Sequence, residues 1–287
     1  MKVIHLLTAV TISVAIFSCK KNVDVVASGN AVAKTMLNVS YGADPLENMD
    51  VYLPTNRSVT TTKVLIMIHG GAWESGDKTD LTSYVDTMKN RLPGYAIFNI
   101  NYRLSVNSIN VFPAQENDVK AAFDFIMNKA ADYIISQKVV LLGVSAGGHL
   151  ALLQGYKYDS NVKPEAIVSF FGPTDLIDMY NNPASPIVSS SLLASIIGTT
   201  PSQDSLLYAN SSPINFVSSS SPPTILLHGG LDLLVRPQQA MSLQSKLQAS
   251  GVINEFVFYP TEGHGWTDAN LTDSFDKIQA FLSANVQ

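Results

Sequence analysis

Short, nearly continuous apolar runs recur along the chain with a helix-length amphipathic segment between most of them, and this alternation restricts the fold more than any other feature. The runs cover residues 63–68, 95–100, 138–142, 166–171, 224–227 and 255–259. Segments 81–91, 114–131, 147–158, 237–250 and 272–284 have helical character. The second of these follows Pro113, suited to a first helical turn, and sets Val119, Ala122, Phe123 and Ile126 on one side. Strands apolar on both faces belong in a mostly parallel sheet covered by helices on both sides. In such sheets the functional groups collect where the strands end, so the residues after each strand carry the information.

With 287 residues the chain is long enough for one large α/β domain, and neither an internal repeat nor a second linker divides it. Only 14% of residues are charged, the net charge is -5, and 46% are hydrophobic. A charged fraction so far below the usual value of about 25% leaves a neutral-polar surface. Nucleic-acid binding is excluded, because no basic stripe is available for phosphates. Disorder is excluded by the combination of high apolar content and low charge.

The N-terminus reads as an export signal. Met1-Lys2 precedes an apolar stretch up to Phe17 that is shorter than the roughly 20 residues of a spanning helix. The run Ile16-Phe17-Ser18-Cys19 then resembles a bacterial lipobox, in which the cysteine becomes the lipidated first residue. Residues 1–18 are therefore expected to be a lipoprotein signal peptide, and residues 19–38 a tether. The folded domain is expected to span 39–287. This predicts an exported, membrane-anchored lipoprotein of a Gram-negative bacterium, facing the periplasm or the surface. Cys19 is the single cysteine, so neither a thiol nucleophile nor a Cys-ligated zinc site is open to this chain.

After the strand at 138–142 comes Gly143-Val144-Ser145-Ala146-Gly147-Gly148 and then a helix. G-x-S-x-G in this setting places a serine on a very tight turn, with glycines where side chains would clash and a helix N-terminus favouring negative charge. A serine needs a base. Of five histidines, His5 lies in the signal peptide, and His69 and His228 stand beside glycine pairs whose backbone is the more useful asset. His149, four residues after Ser145, is expected to pack beneath the turn. His264 remains, in the glycine-flanked loop after the last strand, as the base. Asp232, after the penultimate strand, is the expected acid, with Asp175 as its rival one strand earlier. The order Ser145, Asp232, His264 is that of α/β-hydrolases. For the oxyanion donors, His69-Gly70-Gly71-Ala72-Trp73 follows a strand that precedes the nucleophile, which assigns the amides of Gly71, Ala72 and Ala146. No metal is called for.

Several of these segments together resemble one family. His69-Gly70-Gly71-Ala72-Trp73 with Gly76-Asp77-Lys78, Asn101-Tyr102-Arg103-Leu104, Phe112-Pro113-Ala114-Gln115, Gly143 to His149 and Glu262-Gly263-His264 look like the hormone-sensitive-lipase-related esterase branch of the α/β-hydrolase superfamily. The H-G-G-x-W form is nearest to bacterial acetylesterases, feruloyl esterases that trim plant polysaccharides, and arylformamidases. The resemblance implies an α/β-hydrolase fold with a short cap over about 174–213, and cofactor-free ester hydrolysis through an acyl-enzyme on Ser145. The expected substrate is a small-molecule or polysaccharide-linked ester. Where lipase-like members carry a third glycine this chain has Ala72, which speaks against long-chain lipase activity.

Within 174–213, Met179, Tyr180, Leu192, Leu193, Ile196 and Ile197 are either pocket lining or the cap's own core. Trp73 and Trp266 flank the two loops and either stack on substrate or pack. Two other functions compete with the esterase: an arylformamidase-like or peptidase-like amide hydrolase, and a non-catalytic surface lipoprotein that binds glycans.

Overall fold

The computed structural model describes residues 31–159 and 161–287. Eight strands form one sheet in the order β1-β2-β4-β3-β5-β6-β7-β8. They are β1 (Lys34–Ser40), β2 (Asn48–Leu53), β3 (Lys63–Ile68), β4 (Tyr95–Ile100), β5 (Val139–Val144), β6 (Ala166–Phe170), β7 (Thr224–Gly229) and β8 (Asn254–Tyr259). From β4 through β3 to β8 neighbouring strands are parallel, whereas β2 is antiparallel to both β1 and β4. The mostly parallel sheet inferred from the apolar runs is therefore present, with an antiparallel pair added at one edge.

That pair corrects the expected tether. Residues 34–38 enter β1 and bond along β2, so the domain starts before Val39. β2 buries Met49, Val51 and Leu53 while β1 stays largely exposed, so β1 acts chiefly as a hydrogen-bonding cover for β2. Its sequence has too little apolar periodicity to announce a strand.

Helices cover both faces, and the alternation of side chains along a strand decides which helix each residue meets. On β3, Val64, Ile66 and Ile68 face the layer containing Val119, Ala122, Phe123 and Ile126 of α2 (Ala114–Asn128). A one-turn helix, α3 (Ala130–Tyr133), completes the segment read as a single helix. Leu65 and Met67 face the opposite layer, built from α1 (Thr82–Arg91) and the C-terminal helix. α4 (Ala146–Lys157) is the most deeply buried helix, its first nine residues all in the interior. Between β6 and β7 lie three short helices, α5 (Leu176–Asn181), α6 (Ser190–Ile197) and α7 (Ser205–Asn210), which form the cap. α8 (Gln238–Ala249) and α9 (Asp268–Asn285) follow β7 and β8.

The serine triplet 189–191 opens α6. Ser189 caps α6, its hydroxyl accepting the Leu192 amide at 3.2 Å, which is the use helices make of serine at that position. Leu193, Ile196 and Ile197 pack in the interior, so they are the cap's own core.

Candidate active site

Winding reverses at β3: the chain runs to β4 on one side and then to β5 on the other, which leaves the loops after β3 and β5 side by side at the carboxyl edge. The loop after β5 is the sharp turn that G-x-S-x-G predicts. Ser145 has φ 55° and ψ -120°, a conformation that costs an L-residue about 1–3 kcal/mol. Its amide donates to the Phe170 carbonyl at 2.8 Å and its carbonyl accepts from His149 at 3.1 Å, which fixes the strained residue from both sides. Two glycines make the turn possible: a Cβ on Gly143 would stand 2.0 Å from the Gly147 oxygen, and one on Gly147 would stand 2.1 Å from the Ile68 oxygen.

The three predicted side chains meet although 119 and 32 residues separate them along the chain. His264 Nε2 lies 2.8 Å from Ser145 Oγ, and His264 Nδ1 lies 2.7 Å from Asp232 Oδ2. The pair of distances assigns the tautomer: Nδ1–H donates to the carboxylate and Nε2 accepts from the serine hydroxyl. Asp232 is almost completely buried, and its Oδ1 accepts the amides of Leu234 and Val235 at 2.8 and 2.9 Å. Burial by itself would raise its pKa. Hydrogen bonds from His228, His264 and the Val235 amide outweigh burial and hold the carboxyl well below the usual range. The rival Asp175 is instead the cap of α5, accepting the amides of Ile177 and Asp178.

His228 is the functional residue that sequence reasoning passed over. It is fully buried, and its Nε2 lies 2.8 Å from the Val235 carbonyl and 3.1 Å from Asp232 Oδ2. Its one Nε2–H is shared between that carbonyl, the shorter contact, and the carboxylate that His264 also contacts. The signal was its place four residues before Asp232, but glycine neighbours drew attention to the backbone instead.

The loop carrying the expected oxyanion donors leaves β3 at the expected position. Gly71, Ala72 and Trp73 all have positive φ (104°, 52° and 60°). Amides of Glu74 and Ser75 donate to the Gly71 carbonyl, the Trp73 carbonyl accepts from Ser105, and the Tyr102 hydroxyl donates to His69 O at 3.0 Å. Gly71, Ala72 and Ala146 line the same cavity as Ser145 and His264. This cavity, of about 490 Å³, is walled mainly by apolar and aromatic side chains including Leu81, Tyr84, Phe171, Met179, Val188 and Leu234, with Ser75 and Asp80 also in its lining. The cap therefore contributes Met179 and Val188 to the wall. Trp266 packs against Tyr259 and Phe171, with its indole N–H on Ser274 at 2.8 Å, so it is a core residue. Cys19 and the expected signal peptide fall outside the described residues.

Strand order, nucleophile turn and the chain order of the three side chains define an α/β-hydrolase fold carrying a serine-histidine-aspartate constellation. The sequence model of the BD-FAE family matches residues 49–247, and the chain belongs to that family. Among relatives, Esterase LipC of Mycobacterium tuberculosis is 27% identical over 243 residues, covering 79% of this chain and 59% of the relative. Esterase LipQ of the same organism is 28% identical over 229 residues, covering 75% of this chain and 53% of its own. The chain thus spans somewhat more than half the length of these relatives. Among solved structures, a truncated carbohydrate esterase from gut microbiota superposes with a TM-score of 0.75 at 25% identity, over 90% of this chain and 99% of that one. A bifunctional GH43-CE protein of Bacteroides eggerthii gives the same TM-score of 0.75 at 27% identity, over 88% of this chain and 35% of that one.

Proposed function

We propose that this protein hydrolyses carboxylic esters through an acyl-enzyme on Ser145, taking short acyl or aryl esters, including those that decorate polysaccharides. The observation that carries the reading is the His264 ring, placed between Ser145 Oγ at 2.8 Å and the buried Asp232 carboxylate at 2.7 Å. His264 Nε2 removes the hydroxyl proton as Oγ attacks the carbonyl carbon. The Asp232 carboxylate stabilises the imidazolium, which then protonates the departing alcohol. The amides of Gly71, Ala72 and Ala146 receive the tetrahedral oxyanion, each worth roughly 10²–10³ in rate for such a donor. Water attacks the acyl-enzyme by the same route with His264 again as base. A cavity lined mainly by apolar side chains, with Asp80 its one carboxylate, suits neutral esters. The names of the relatives and of the carbohydrate esterase neighbour support the substrate class.

The test is hydrolysis of 4-nitrophenyl acetate, butyrate and decanoate, methyl ferulate and N-formylkynurenine by the wild type and by Ser145→Ala. Expected are turnover of the shorter esters and of ferulate by the wild type, a fall of at least about 10⁴-fold in the variant, and slow decanoate cleavage. Equal rates for the two proteins would refute the mechanism, and faster cleavage of the formamide than of any ester would move the activity to amides.

We infer also that the chain is exported and held at a membrane by a lipid on Cys19. The lipobox-like Ile16-Phe17-Ser18-Cys19 supports this. No helix among the described residues is long and apolar enough to cross a membrane.

A further inference from the structure

One turn beyond the nucleophile, α4 carries a second buried imidazole. The ring of His149 has no exposed surface and sits between Trp73, edge-on with centroids 5.0 Å apart, and Phe112 at 5.6 Å. Both ring nitrogens have partners. Nδ1 accepts the indole N–H of Trp73 at 3.2 Å, and Nε2–H donates to the Ser211 carbonyl at 2.7 Å. A single neutral tautomer satisfies both bonds, whereas a protonated ring could not accept the indole. Burial pushes the pKa of His149 down to about 4, which preserves that neutral form.

The three attachments belong to three separate parts of the site. α4 starts directly after Ser145, Trp73 belongs to the loop after β3, and Ser211 follows α7 at the end of the cap. Trp73 and the preceding Ala72 both have positive φ, a backbone state that L-residues hold only when their surroundings impose it. The indole of Trp73 is the largest side chain on that loop and is buried against His149, so His149 supplies the polar half of what imposes it.

We infer that His149 is a positioning residue. By gripping Trp73 it holds the amides of Gly71 and Ala72 at their working distance from Ser145, and by gripping Ser211 it ties the oxyanion loop to the cap. The consequence for turnover rests on the ester-hydrolase reading above; the consequence for loop geometry does not.

The experiment compares wild type, His149→Phe, His149→Gln and Trp73→Phe in two measurements. The first is kcat and KM on 4-nitrophenyl acetate. Loss of the grip is expected to lower kcat about 10- to 100-fold in His149→Phe, with KM changed less than about threefold, because the loop serves the transition state more than the bound ester. Gln can offer an acceptor and a donor and is expected to recover part of the loss. The second is amide hydrogen exchange over residues 70–76, expected to quicken roughly tenfold in His149→Phe while the β3 and β5 amides stay protected. Unchanged exchange in a folded His149→Phe overturns the inference, as does faster exchange with unchanged kcat. Should His149→Phe not fold, Trp73→Phe deletes the same bond from the other side and carries both measurements. A wild type that cleaves no ester refutes the ester reading, and the exchange comparison still decides whether His149 holds the loop.

Discussion

Replacing Gly147 by alanine isolates the contact between the nucleophile turn and the oxyanion strand. The added Cβ would stand 2.1 Å from the Ile68 oxygen and 2.4 Å from the His69 oxygen, both backbone atoms that no side-chain rotation can move aside. Carbon and oxygen need more than 3 Å, so α4 and the end of β3 must separate by about 1 Å. Ser145 stands on one side of that seam and the Gly71 and Ala72 amides on the other, so the separation acts directly on the distance between nucleophile and oxyanion donors. A displacement of this size costs on the order of 10² in kcat. Overpacking adds a stability loss of about 1–3 kcal/mol, which lowers Tm by several degrees in a domain of this length. The assay is kcat on 4-nitrophenyl acetate with Tm from calorimetry, alongside Gly94→Ala, where a Cβ would meet nothing within 4 Å. The control is expected to keep wild-type activity. A Gly147→Ala protein with kcat within about threefold of wild type would show that the seam does not govern the chemistry.

Two further outcomes follow from the charges. Arg103 donates to the buried Asp118 carboxylate through Nε at 2.9 Å and through its backbone amide at 2.8 Å, so Arg103→Met should destabilise the fold by about 3–5 kcal/mol in urea unfolding, with Asp118→Asn recovering part of it. A loss below about 1 kcal/mol would mean that Asp118 is solvated. Because the folded state holds the Asp232 carboxyl below its unfolded value, its contribution to stability is complete above about pH 4 and is lost as pH falls toward the depressed value. Asp232→Asn should therefore show a flatter loss of stability than wild type on acidification below about pH 4, and parallel curves would refute the linkage.

The parts legible in sequence are those where chemistry or burial leaves few choices. Parallel strands buried on both faces must be apolar throughout, which is why β3 and β4 were readable to the residue, and helix α2 announced its inward side through Val119, Ala122, Phe123 and Ile126. Ser145, Asp232 and His264 were readable because each follows a strand, and strand ends converge. β1 was not, since an exposed edge strand needs only its backbone and leaves little pattern in its side chains. His149 packs beneath the turn as expected, but its hydrogen bonds and the role of His228 were not readable, for another reason. Their roles depend on atoms supplied by distant segments, the Val235 carbonyl and Asp232 in one case and Trp73 and Ser211 in the other, and no local spacing encodes such a meeting.

The antiparallel edge has a directional consequence. β1 runs antiparallel to β2, which runs antiparallel to β4, so β1 points the same way as the parallel strands and begins where they begin. Lys34 is thus at the floor of the sheet, while Ser145, Asp232 and His264 stand at its ceiling. The start of the described chain is pinned there by Arg57 Nη1 on the Val32 carbonyl and by the Asn56 amide on Ala31. A molecule held by its N-terminal segment would therefore present its cavity outward, toward whatever arrives from the far side, with the length of the strands between the holdfast and the substrate.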